Sequence, residues 1–266
     1  MIHALDHLLL TTTDLQAAAA KLAAVLGRGP DRVGAVASMD AVAFRLANTT
    51  ILLIAQQPGN PLGLEPAPAD GSAAQAAAGF AVPDLDAARA LLTRRGLPCG
   101  EVVGWTAENG SETRAVVLDG TVTFGTKLLL VERPAMPSGP GVGIDHVVIR
   151  THSPDRALAL FGARLGLDLR LDRTNWNTRF LFFRCGDLVV EVVQPAGEEA
   201  SDQPNRFNGL AWRSPTLVAD HARLAAAGVP VSELRTGRKP GTHLFTVREN
   251  AALVPSIFIE LERKAG

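Results

Sequence analysis

The sequence predicts an α+β protein built from four copies of one βαβββ unit, packed in pairs. Two observations lead to this prediction. An Asp-His pair opens an apolar run twice, at Asp6-His7 and at Asp145-His146. Each run is followed by a segment with apolar residues at helical spacing and then by further short apolar runs, and the same cycle restarts once more in each half.

The length of the chain sets the expected domain organisation. A quarter of its 266 residues is too short to bury a hydrophobic core alone, so the units must pack in pairs. Residues 134–143 are rich in proline and glycine and separate the two pairs. We therefore expect one domain at residues 1–134 and a second at residues 143–266.

The elements of the first half follow from local patterns. Helices are predicted at residues 15–26 and 85–95, each preceded by an aspartate that can cap it and followed by a glycine that can end it. Residues 58–72, rich in proline and glycine, are expected to form a loop. Short apolar runs predict strands at residues 5–11, 42–46, 50–54, 78–82, 114–118 and 127–131.

The second half repeats this order. Helices are predicted at residues 154–165 and 218–227, both ended by glycine. Residues 172–179 mix polar and aromatic side chains and residues 235–242 are basic; each is expected to be a rim loop, either a lid over an anionic substrate or an ordinary solvated loop. Strands are predicted at residues 146–150, 179–183, 187–193, 209–213, 243–247 and 256–261.

Composition is that of an ordinary soluble globular protein. The chain is 47% hydrophobic and has a net charge of -1, which gives no electrostatic signature for nucleic acid or an anionic membrane. Two cysteines, one in each half, favour a reducing cytoplasm, and no signal-peptide or membrane-spanning pattern is visible. The expected partner is a small-molecule substrate, and the expected state is a monomer or homodimer.

Three residues of the second half are candidate ligands of a cation. His146, Glu191 and Glu260 each lie within an apolar strand. An ionised glutamate in a buried strand is costly unless it is paired or bound to a cation. Each residue alone could be a hydrogen-bonded core histidine or a glutamate on a sheet edge, but together they suggest one shared cation.

The four βαβββ units, the opening Asp-His strand and the final apolar strand with a glutamate together resemble the vicinal oxygen chelate superfamily. That superfamily includes glyoxalase I, extradiol ring-cleaving dioxygenases and bleomycin-resistance proteins. The resemblance covers essentially the whole chain. It implies that paired units curl into two half-open β-barrels, with a divalent metal inside a barrel.

The resemblance also implies a set of functional residues. The metal ligands would be His146, Glu191 and Glu260, while the fourth ligand position falls on Gly209, which has no side chain. This set suits Fe, Mn, Zn, Ni or Co without selecting among them, and open positions would receive adjacent substrate oxygens. Glu191 or Glu260 could be catalytic by releasing the metal and carrying a proton.

Strand alternation predicts further residues around the barrel. Arg150 and Arg213 share a face with His146 and could bind a substrate carboxylate or enolate, or form structural salt bridges. His243 could be an acid–base group or a donor behind the ligands. Trp176, in the expected rim loop 172–179, is a further candidate for substrate binding.

The first half lacks a comparable set. His7 is present, but the corresponding positions are Ile54, Ala77 and about Leu130, so His7 is interpreted as a core or capping residue. The function expected from the second half is a metal-dependent glyoxalase- or dioxygenase-like lyase, isomerase or oxygenase acting on a small oxygenated metabolite. The alternative is a non-catalytic protein that binds a drug or metabolite, as bleomycin-resistance proteins do.

Overall fold

The computed structural model describes residues 1–36, 38–57, 59, 62–64, 66–67, 74–106, 111–133, 141–238, 240–249 and 251–261. The expected linker at residues 134–143 lies largely outside these ranges, and the expected loop at residues 58–72 does so in part. No helix within them is long and apolar enough to cross a bilayer.

The first half forms an eight-stranded half-barrel in the order β2-β3-β4-β1-β5-β8-β7-β6. Each unit places its opening strand parallel to its closing strand, and the two opening strands pair antiparallel at the centre. The elements are β1 (Ala4–Thr12), α1 (Leu15–Leu26), β2 (Arg32–Val36), β3 (Met39–Arg45), β4 (Thr50–Ala55), β5 (Ala74–Val82), α2 (Leu85–Arg94), β6 (Cys99–Thr106), β7 (Glu112–Leu118) and β8 (Leu128–Glu132).

The second half repeats this topology in the order β10-β11-β12-β9-β13-β16-β15-β14, without closing. Its elements are β9 (Gly143–Arg150), α3 (Pro154–Ala157) continued by a π-helical segment (Leu158–Arg164), β10 (Asp168–Asn175), β11 (Thr178–Cys185), β12 (Leu188–Gln194), β13 (Arg206–Arg213), α4 (Leu217–Ala226), β14 (Arg235–Thr236), β15 (Thr242–Val247) and β16 (Ser256–Leu261). The predicted α+β architecture of four βαβββ units is confirmed.

One local prediction is wrong. Residues 172–179, expected to be a loop, belong mostly to the hairpin of β10 and β11. Its turn is formed by Trp176 and Asn177, whose φ angles of 47° and 59° give the left-handed backbone conformation that a two-residue hairpin turn requires. The strand β10 could not be predicted from the sequence, because this edge strand is exposed along almost its whole length and therefore lacks an apolar run.

The helices cover one face of each sheet, and the buried apolar residues on that face of both sheets form one continuous hydrophobic cluster. On β1, Leu8 and Leu10 belong to this cluster, while Leu9 points to the opposite face. In the first half that opposite face is filled by a second apolar cluster, which includes Leu62 and Leu64 from the loop after β4. The first half-barrel is therefore packed on both faces.

His7 is a core residue of the first half. Its side chain is buried, and its Nδ1 atom lies 2.7 Å from Oδ2 of Asp6. The guanidinium of Arg133 donates from Nε to the other carboxylate oxygen of Asp6 at 2.8 Å. A Cβ atom at Gly79 would lie 2.3 Å from the His7 ring, so the imidazole occupies space that only glycine leaves open.

Replacing Asp6 with asparagine should lower the free energy of unfolding at pH 7 by about 3 kcal/mol, because Arg133 would stay buried without its carboxylate. Burial raises the pKa of Asp6, but the hydrogen bonds and charges of His7 and Arg133 outweigh it and hold the pKa below its usual 3.8. The stabilisation is therefore present above about pH 4 and is lost as the pH falls through the folded-state pKa.

Urea unfolding at pH 7 and at a series of pH values below 4 measures this effect. The difference between wild type and the Asp6→Asn variant should shrink with acidification. An Asp40→Asn variant, altered at an exposed position of β3, is the control. A difference that stays constant with pH would contradict the ion-pair explanation.

Candidate functional site

The face of the second sheet turned away from its helices carries the candidate site. On β12, the buried neighbours on either side of Glu191 belong to the core, so Glu191 points to the opposite face. On β9, Val147 and Ile149 belong to the core, and His146 lies on the same open face as Glu191. The parallel pairing of these two strands places His146 and Glu191 diagonally across from each other.

His146 and Glu191 are in contact. Nε2 of His146 lies 3.3 Å from Oε2 of Glu191, and the two side chains are 17% and 13% exposed. The other ring nitrogen, Nδ1, lies 2.9 Å from Oδ2 of Asp145. Asp145 therefore orients the ring so that Nε2 faces Glu191.

Burial and charge shift the pKa values of both partners. Burial alone would lower the pKa of His146, but the hydrogen bond that its ring donates to Asp145 and the charges of Glu191 and Asp145 raise it above its usual 6.5. Burial raises the pKa of Glu191, and the charge of Asp145 adds to this, against the opposing charges of His146 and Arg238. The pKa values of both residues therefore lie above their usual values.

A cavity of about 430 Å³ opens beside His146. Gly209, in the row next to His146, has a φ of 146°, and a Cβ atom there would lie 2.5 Å from the carbonyl oxygen of Pro255. No side chain therefore fits at the position expected for a fourth ligand. The cavity is lined by His146, Val148, Asn208, Gly209, Leu210, Thr246, Val247, Arg248, Glu249, Pro255, Ser256 and Ile257.

Glu260 does not join the pair. Phe258, two residues earlier on β16, stacks in the core on Trp212, with ring centroids 5.9 Å apart. Strand alternation therefore directs Glu260 to the core side of the sheet, away from His146. The residue of β16 that shares a row with His146, through the intervening strand, is Ile257.

These positions decide whether the described residues could bind a metal ion. Within the described ranges, no three histidine, cysteine, aspartate or glutamate side chains are grouped so that they could hold a metal ion. Of the expected ligands His146, Glu191 and Glu260, only the first two lie together. The described residues do not fit a metal held by three protein ligands.

Both predicted substrate-binding arginines have partners within the protein. Arg150 pairs with Glu198, whose other carboxylate oxygen lies 3.3 Å from His152. Arg213 pairs with Asp187 at 2.7 Å. The structure thus shows the salt bridges that the sequence left open as an alternative for these arginines.

The other two predicted residues lie in different environments. His243 pairs in register with Glu260, and its alternate neighbour Phe245 is buried in the core, so His243 lies on the core side of the sheet. Trp176 is 70% exposed at the β10–β11 turn, and the guanidinium carbon of Arg238 lies 4.5 Å from its ring centroid. The two expected rim segments therefore meet beside the open face.

Sequence reasoning missed the polar residues that line the cavity, notably Arg248, Asn208 and Thr246. Arg248 follows the last residue of β15, and Asn208 adjoins an irregularity in the pairing of β13 with β9. A signal was available for Arg248, since it continues the alternation of Thr246 beyond the strand end.

Residues 145–245 match the family model described as the Glyoxalase/Bleomycin resistance protein/Dioxygenase superfamily. This stretch is similar in sequence to that superfamily. It begins two residues into β9 and ends within β15, so it contains His146 and Glu191. The resemblance to the vicinal oxygen chelate superfamily, inferred from the sequence, is confirmed.

Solved structures of similar proteins share the fold of the whole chain. A variant of 4-hydroxymandelate synthase from Streptomyces coelicolor has a TM-score of 0.70 at 14% identity, over 100% of this chain and 95% of that protein. The Mn(II)-bound glyoxalase from Novosphingobium aromaticivorans has a TM-score of 0.71 at 12% identity, over 97% and 82%. The 2,2',3-trihydroxybiphenyl 1,2-dioxygenase from Sphingomonas wittichii gives 0.65 at 16%, over 98% and 91%. Comparison with curated proteins gives no match.

Replacing Glu191 with glutamine should lower the pKa of His146, because the negative charge of Glu191 stabilises the imidazolium. An NMR titration of the His146 ring measures this shift. The Glu260→Gln variant is the matched control and should leave the pKa of His146 unchanged, since Glu260 lies on the other side of the sheet. Equal shifts in both variants would contradict the geometry of the pair.

Proposed function

We propose that the second half is the active half of an enzyme that transfers a proton within a small oxygenated molecule. The observation that carries the proposal is the 3.3 Å contact between His146, which lines a cavity of about 430 Å³, and Glu191 behind it. A largely buried imidazole and carboxylate that face each other, both with raised pKa values, are suited to general acid–base catalysis.

In the proposed reaction the two residues share two roles. One member of the pair removes a proton from a substrate carbon next to a carbonyl, and the other returns a proton to a neighbouring atom. The substrate is thereby isomerised, and the pair regains its starting charge. Because Nδ1 of His146 is hydrogen-bonded to Asp145, Nε2 is the ring atom that exchanges a proton.

The comparisons support the choice of substrate class. The solved structures with the same fold include a glyoxalase, a dioxygenase of a trihydroxybiphenyl and a hydroxymandelate synthase, whose names denote small oxygenated molecules. The cavity beside His146 is of a size that suits such a molecule.

A metal-dependent form of the same site is the second candidate. Two ligands of one ion, each about 2.1 Å from it, lie about 3 Å apart, which is close to the separation of His146 and Glu191. These two residues would then hold the ion together with substrate oxygens. A divalent ion would supply Lewis-acid polarisation of a substrate oxygen.

The Glu191→Gln and His146→Gln variants should each reduce proton transfer by about 100-fold or more, because each removes one member of the acid–base pair. Incorporation of deuterium from D₂O into a panel of small oxo and hydroxy acids, followed by NMR, measures the reaction without knowledge of its product. Glu260→Gln is the control and should retain the wild-type rate. Exchange that survives Glu191→Gln would contradict the assigned role.

Treatment with EDTA separates the two candidates. If the pair acts without a metal, we expect the exchange rate to be unchanged after dialysis against EDTA, and added Mn(II) to leave the melting temperature unchanged. Loss of exchange on dialysis and its recovery with Mn(II) would establish the metal-dependent form instead. Ligand binding without any exchange would identify the non-catalytic alternative.

A further inference from the structure

We propose that Arg248 binds the anionic group of the ligand, so that the cavity selects small molecules with a carboxylate or similar oxyanion next to the reacting carbon. The identity of the reacting carbon rests on the proposed function. The binding of the anion does not, because it depends only on Arg248 and the shape of the cavity.

The position of Arg248 follows from β15. Phe245 and Val247 are buried in the core, so Thr246 faces the open side of the sheet. Arg248 continues this alternation and lines the same cavity as His146. Its backbone N–H donates to the carbonyl oxygen of Pro230 at 2.8 Å, which fixes the chain at the cavity edge.

The guanidinium of Arg248 is available for a ligand. Within the part of the chain that the structure describes, it makes no hydrogen bond or ion pair, and its side chain is exposed. Arg248 is the arginine that lines the cavity, and four arginines elsewhere around this face are engaged: Arg150 with Glu198, Arg213 with Asp187, Arg235 with Thr246 and Arg238 with Trp176. An incoming anion would therefore meet Arg248 without breaking an existing pair.

The carboxylates near the cavity favour a cation in its lining. Glu249 lines the cavity together with Arg248. Asp145 and Glu191 contact the imidazole of His146, so an anionic ligand meets negative charge here unless a cation binds it. The guanidinium fork can hold both oxygens of a carboxylate in parallel hydrogen bonds. Val148 and Ile257 form an apolar wall for the rest of the molecule.

Calorimetric titration with mandelate and with its neutral amide, mandelamide, tests the proposal on the full chain. Both probes carry adjacent oxygens and a small apolar ring, and they differ in charge. Wild type should bind mandelate at least tenfold more tightly, a difference of about 1.4 kcal/mol. The Arg248→Gln variant should bind both probes equally, and Arg248→Lys should keep part of the preference because it keeps the charge.

The matched control is Arg94→Gln, which removes one positive charge from an exposed position on α2 of the first half and should keep the wild-type preference. The proposal is overturned if wild type does not prefer mandelate, if Arg248→Gln keeps the preference, or if neither probe binds. Glu191→Gln separates the two proposals: it should abolish proton exchange yet still bind mandelate. Exchange that persists in this variant while Arg248→Gln loses the preference would contradict only the proposed function.

Discussion

The buried contact between His146 and Glu191 is the interaction on which the candidate site of the second half depends. Parallel pairing of β9 with β12 brings together two side chains that are distant in the sequence. With Asp145 hydrogen-bonded to the ring, two carboxylates surround one imidazole, and burying such an excess of negative charge is costly. Burial, with the charge of Asp145, keeps the pKa of Glu191 raised against the opposing charges of His146 and Arg238. A cost of this kind is typical of sites that perform chemistry.

The two halves have the same topology but differ in what lies on the open face of the sheet. In the first half the open face is filled by aliphatic side chains, including Leu62 and Leu64, and His7 fits into the space left by Gly79. In the second half Gly209 keeps its position free of a side chain, and a cavity remains beside His146. The repeated Asp-His pair therefore serves packing in one half and faces a cavity in the other. The residues that face the opening strand therefore determine whether its Asp-His pair serves packing or borders a cavity.

The sequence predicted the four units because each repeats a strand, a capped helix and further apolar runs. It could not predict the face of Glu260, because the residues of β16 before it are apolar at almost every position and show no alternation. Only the stacking of Phe258 on Trp212 decides which way that strand turns. Arg248 was missed for a different reason: it lies just beyond the last residue of β15, and its side is known only once Phe245 and Val247 are seen to be buried in the core.

The first half nevertheless contributes to the geometry of the pair. The side chain of Asn48 accepts a hydrogen bond from the N–H of Ile144 at 2.9 Å and donates to its carbonyl oxygen at 2.8 Å. It thus pairs with β9 much as a further strand would, two residues before His146. A Cβ atom at Gly143 would lie 2.7 Å from Oδ1 of Asn48, so this close approach requires glycine. The half whose open face is filled therefore fixes the strand that carries His146, and the contact with Glu191 depends on both halves of the chain.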